Sequence, residues 1–121
     1  MIISIMLAPR YNRPRNRNRY KGWRIVSTKT HDDNCDHTLT GPNGEREILC
    51  TQEYELGDMG IRDHYAYCNV YGSMSVYDLD NRDPIGSRIS FTLKSRFSER
   101  FLGMDGDVLV TMSNARETRY N

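Results

Sequence analysis

The chain has 121 residues, 27% charged and 37% hydrophobic, with 17 basic against 16 acidic side chains and a formal net charge of +1. That length suits one soluble domain with a modest core, since even about 150 residues bury only roughly two thirds of their extended-chain surface. No apolar run approaches the roughly 20 residues that a membrane-spanning helix needs, which excludes such a span.

Residues 1–9, Met1-Ile2-Ile3-Ser4-Ile5-Met6-Leu7-Ala8-Pro9, are apolar but lack a preceding positive charge and a small-residue cleavage site. They read as a first strand rather than a leader. Residues 10–24 differ sharply. Arg10, Arg13, Arg15, Arg17, Arg19, Lys21 and Arg24 fall in fifteen residues with no acid, and outside them ten basic groups face sixteen acidic ones, a net −6. The sequence therefore describes an acidic body carrying a basic arm, an asymmetry that points to a polyanionic partner. With almost no hydrophobic residues, with Pro9 and Pro14 discouraging a helix and with several Asn side chains competing for backbone bonds, the arm is expected to be flexible alone.

From residue 25 to 112 the pattern is β, in short pieces divided by turn chemistry. A strand is expected from Trp23 to Thr28. Thr38 to Thr40 and Arg46 to Cys50 flank Gly41-Pro42-Asn43-Gly44, a hairpin turn with Pro fixing one φ and Asn or Gly tolerating a positive one. His64 to Tyr71 alternates, with Tyr65, Tyr67, Asn69 and Tyr71 on one side and His64, Ala66, Cys68 and Val70 on the other. Gly72-Ser73 then predicts a type II′ hairpin into Met74 to Leu79. Arg88 to Lys94 sets Ile89, Phe91 and Leu93 against a polar face. Ser98 to Leu102 reads as a short helical turn, Asp107 to Met112 as the last strand, and residues 113–121 as a frayed tail. Seven or so short strands in one domain predict a small antiparallel β-barrel or β-sandwich, with Ile89, Phe91, Leu93, Val108 and Val110 in its core.

Cys35, Cys50 and Cys68 cannot all pair within the chain and are too sparse for a secreted disulfide scaffold, so a reducing, intracellular and specifically cytoplasmic setting is expected. Cys35, His37, Cys50 and either His64 or Cys68 would make a tetrahedral zinc set, but no chelating Cys-x-x-Cys pair is present. A polar turn over His31 to His37 is the preferred reading, with no metal and no cofactor. Asp78-Leu79-Asp80-Asn81-Arg82-Asp83 has calcium-like alternation, yet an EF-hand register puts Arg82 at a ligand position and Asp83 where the turn glycine belongs. It reads as an acidic loop closed by Asp83-Pro84.

The chain holds neither a nucleophile motif nor a phosphate loop, and Asp105, Asp107 and Glu99 form no distinctive carboxylate pair, so no enzyme activity is expected. Tyr65, Tyr67 and Tyr71, with Tyr77, form either a stacking face or a half-buried core, and the core reading is preferred. In the arm, guanidinium groups suit phosphate, while Tyr11, Tyr20 and Trp23 between them suit stacking on bases. The expected site is therefore Arg10, Tyr11, Arg13, Arg15, Arg17, Arg19, Tyr20, Lys21, Trp23 and Arg24. The expected function is non-enzymatic binding of nucleic acid, RNA above all, through backbone contacts with weak sequence preference. The alternative is a small interaction or inhibitor protein docking through its β body, with an acidic protein surface as the arm's partner.

Overall fold

A computed structural model of the chain describes residues 18–30, 34–51, 56–96 and 98–121. The expected strand over 1–9 and the first part of the arm lie outside them. Eleven strands are described: β1 (Arg19–Tyr20), β2 (Trp23–Lys29), β3 (Cys35–Thr40), β4 (Arg46–Cys50), β5 (Leu56–Arg62), β6 (Tyr65–Val70), β7 (Ser73–Asp78), β8 (Ile89–Thr92), β9 (Arg100–Asp105), β10 (Val108–Ser113) and β11 (Arg116–Tyr120). They form three antiparallel sheets in simple up-and-down order, β1-β2-β3-β4, β5-β6-β7-β8 and β11-β10-β9. The described residues contain no helix, hence none long and apolar enough to cross a membrane.

Alternation along the strands of the second sheet places it between the other two. Ala66 and Tyr77, paired across β6 and β7, join Ile61 and Leu79 from their own sheet with Trp23 and Leu39 of the first sheet. One residue along, Tyr67 and Val76 form the next pair on the opposite face. There they meet Met74, Phe91 and Leu93 of the same sheet and Phe101 and Leu109 of the third. Tyr67 stacks on Phe101 with centroids 4.3 Å apart at 15°. Because successive strand residues point to opposite faces, both faces of β6 and β7 are buried and Ala66 to Asn69 are all inaccessible.

The second and third sheets approach each other at β5 and β9 without joining into a closed barrel. A bulge between Leu56 and Met59 interrupts the β5 register. The Phe101 backbone N–H donates to the Asp58 carboxylate at 2.7 Å, where a closed barrel would have a backbone carbonyl. Burial raises the Asp58 pKa, against the opposing pull of that N–H and of Arg100 and Arg62.

Several sequence expectations need correction. Arg19 and Tyr20, expected in a flexible arm, form β1 and pair with Arg24 and Trp23 at the start of β2, the strand expected over Trp23 to Thr28. Residues 116–120, expected to fray, pair with β10 over Leu109↔Tyr120 to Ser113↔Arg116. The expected helical turn over Ser98 to Leu102 gives way to β9, whose Phe101 and Leu102 enter different clusters. β5, with its two glycines, carried no readable alternation. The β6–β7 turn is Tyr71-Gly72, not Gly72-Ser73: Val70 pairs with Ser73, and φ is +52° at Tyr71 and +89° at Gly72, the two positive values of a type I′ turn. Phe91 and Leu93 are buried as expected, but Ile89 is 48% exposed at the sheet edge. Val108 is half-buried, and Val110, though inaccessible, packs with Leu102 in a small separate cluster while Leu109 fills the main core.

Candidate functional site

The Lys21-Gly22 turn joins β1 to β2 with positive φ at both positions, +46° and +86°. Because the turn is only two residues long, Tyr20 stands opposite Trp23 and Arg19 opposite Arg24. Alternation then separates rings from charges. Trp23 points inward and is 5% exposed. Tyr20 packs against the same cluster and donates its hydroxyl to Asp80 Oδ1 at 2.8 Å. Arg19 and Arg24 point outward.

The register carries this row across the whole sheet. Arg24 stands opposite Thr40, and Thr40 opposite Arg46. Arg19, Arg24, Thr40 and Arg46 thus form one line over four strands, spanning roughly 14 Å at about 4.8 Å per strand. The neighbouring line holds Val26, Thr38 and Ile48. With Lys21 at the turn, the described face has four cations, and the three arginines make no ion pair among the described residues. Glu45 is the acid at its rim, and its carboxylate is engaged by the Asn43 backbone N–H at 2.8 Å.

The face is concave, an open groove of about 770 Å³ between the β1–β2 and β3–β4 turns. Contact between the two turns sets its floor. A Cβ on Gly22 would lie 2.7 Å from Pro42 Cβ, so glycine lets the turns touch. Gly41 closes on its own turn, its N–H donating to the Glu45 carbonyl at 2.9 Å. Two exposed aliphatic side chains, Val26 (36%) and Ile48 (56%), complete the outer surface.

Of the expected site, Arg19, Lys21 and Arg24 meet on this face. Tyr20 and Trp23 border the groove but pack into the cluster between the first and second sheets, so the expected stacking on Trp23 is replaced by core packing, and Arg10, Tyr11, Arg13, Arg15 and Arg17 lie outside the described residues. Arg46 was missed because it is 22 positions beyond Arg24 and is brought in only by strand register. The sequence Arg-Tyr-Lys-Gly-Trp-Arg did contain the signal: a Lys-Gly turn flanked by alternating charge and ring.

The other candidate clusters are engaged within the fold, except that the buried His37 Nε2 has no hydrogen-bond partner among the described residues. Tyr67 and Tyr77 are buried on opposite faces of the second sheet, and Tyr77 donates to Glu47 Oε2 at 3.2 Å. Tyr71 is exposed but covered by the Arg96 guanidinium, 4.4 Å from its ring centroid. His37 pairs in register with Cys50, and its Nδ1 shares a 2.7 Å hydrogen bond with Ser27 Oγ. Burial raises the Cys68 thiol pKa to about 12, which keeps it protonated at neutral pH. Among the described residues no three His, Cys, Asp or Glu side chains are grouped to hold a metal ion. In the acidic loop, Asp78, Asn81 and Asp83 side chains accept backbone N–H bonds from Asp80, Asp83 and Gly86 at 2.8–3.1 Å.

Glu99 is 2% exposed and serves the fold. Its Oε1 accepts from the Thr111 and Tyr120 hydroxyls, both at 2.6 Å, and its Oε2 from the Ser95 N–H at 2.8 Å. Asp105 is ion-paired with Arg119.

No known family, curated protein or solved structure matches the chain.

Proposed function

We propose that the protein is a non-enzymatic nucleic-acid-binding accessory protein, whose basic groove on the first sheet binds phosphate with weak sequence preference. The observation that carries this reading is the in-register line Arg19, Arg24, Thr40 and Arg46. Like charges directly opposite each other across strands oppose pairing. Arg19 facing Arg24 with no carboxylate between them is therefore an arrangement that an anion would stabilise. Arginine makes charge-assisted bonds to phosphate oxygens, while the Thr40 hydroxyl in the same line donates to the Arg24 carbonyl at 3.4 Å. Arg10, Arg13, Arg15 and Arg17 lead into β1 and extend the same charge along the chain. Three cysteines, too sparse for a secreted disulfide scaffold, support a reducing, cytoplasmic setting.

Binding at low salt by fluorescence anisotropy tests the reading, with Arg19, Lys21, Arg24 and Arg46 replaced together by Ala in the comparison protein. Wild type binds all sequences alike and the quadruple variant binds markedly less. Equal binding by the two proteins removes the groove from the function. Val26 and Ile48, exposed beside the arginines, favour a second reading in which the groove docks an acidic protein and buries these apolar groups. Failure of the wild type to bind nucleic acid at low salt selects it.

A further inference from the structure

Resting on the nucleic-acid reading, we infer that the groove takes duplex nucleic acid, gripping the phosphates on both sides of a groove of the duplex rather than stacking on unpaired bases. Proteins that bind single strands combine a basic track with aromatic platforms on which successive bases lie. This groove has the track without the platform. Tyr20 and Trp23 of its hairpin border the groove, but Trp23 is 5% exposed and Tyr20 is tied to Asp80 with the Lys21 ammonium 5.4 Å from its ring centroid, so neither offers an open platform. What the face exposes in and beside the line of cations is Thr40, Val26 and Ile48, none of which presents a π-face.

The spacing of the charges points the same way. Arg19 and Arg24, with Lys21 at the adjoining turn, form one bank on β1 and β2, and Arg46 on β4 forms the other. Strand β3, which places Thr40 in the line between them and Asp36 further along, separates them, putting the two banks roughly 10 Å apart at the backbone. A single strand offers one line of phosphates. A duplex offers two lines flanking a groove, about 6 Å wide for the minor groove of B-DNA, and arginine side chains reach over such a difference.

The intact protein titrated with a fluorescent duplex of about 20 base pairs, and with either of its strands alone, tests this by anisotropy over a range of salt. The duplex is expected to bind about tenfold or more tighter than the single strand, and if all four groove cations engage, log affinity falls with log salt at a slope near −3.6 from the groove alone. Arg46→Ala, at an exposed position, lowers duplex affinity and reduces that slope by about 0.9, since it empties one bank. Circular dichroism establishes that this variant is folded. Single-strand binding as tight as duplex binding overturns the duplex assignment while leaving nucleic-acid binding intact, as does an Arg46→Ala protein that holds the duplex as well as wild type. No binding to either form overturns the underlying functional reading as well.

Discussion

Glu99 shows how one side chain ties the third sheet to its approach loop. Burial alone would raise its carboxyl pKa, but the bonds from Thr111, Tyr120 and Ser95 together outweigh burial and hold it below the ordinary value of 4.5. The folded protein thus binds this proton more weakly than the unfolded chain does. Its contribution to stability is complete above about 4.5 and is lost as pH falls through the lower folded value. Glu99→Gln should therefore flatten the loss of stability as pH falls below about 4.5, measured by denaturant midpoints at each pH, and an unchanged profile would count against this source. Asp58 acts in the opposite sense, because its folded pKa is raised and the folded state gains relative stability as it protonates. Thr111→Val keeps the shape but removes a donor to a buried carboxylate, and at neutral pH it should cost about 1.5–3 kcal/mol in denaturant unfolding.

At the scale of elements, alternation was legible wherever both kinds of residue alternate, as in β6 and β8, and it failed where they do not. β11 reads Arg-Glu-Thr-Arg-Tyr, nearly all polar, because it is an edge strand whose single large apolar group is Tyr120. Val108-Leu109-Val110 is apolar throughout, so its pattern could not say which residue enters the main core. Ile89 has the correct face, opposite Val76, but alternation gives the face and not how far the covering sheet extends. The groove was half legible: the cations of β1 and β2 stood out as a block, whereas Arg46 depended on two successive strand registers. The turns that frame the groove permit a paired measurement. Gly22 and Gly44 both have φ of +86°, but a Cβ meets Pro42 at the first and open space at the second. Gly44→Ala should cost about 1–2 kcal/mol for its left-handed backbone, and Gly22→Ala measurably more by the same denaturation assay. Equal losses would show that the Gly22–Pro42 contact does not constrain the turns.

Across the whole molecule, two apolar layers share the second sheet, and this determines how stability is distributed. Trp23 is the chain's single tryptophan and reports on the layer between the first and second sheets. Phe101 is 1% exposed in the other layer, stacked on Tyr67. The two layers meet through neighbouring residues of the same strands, Ala66 beside Tyr67 and Val76 beside Tyr77, so the pleat that presents one face also presents the other. Loss of the Phe101 layer exposes one face of β6 and β7 and leaves the first sheet packed on an unsupported partner. Phe101→Ala should therefore cost about 3–5 kcal/mol, a large fraction of a small domain's total. The same loss should appear in Trp23 fluorescence as in the far-ultraviolet signal, with coincident midpoints, as a two-state transition requires. A Trp23 midpoint left at the wild-type value while the far-ultraviolet midpoint falls would mean that the layers unfold separately. In that case the basic groove, built on the first sheet, would keep its form without the third.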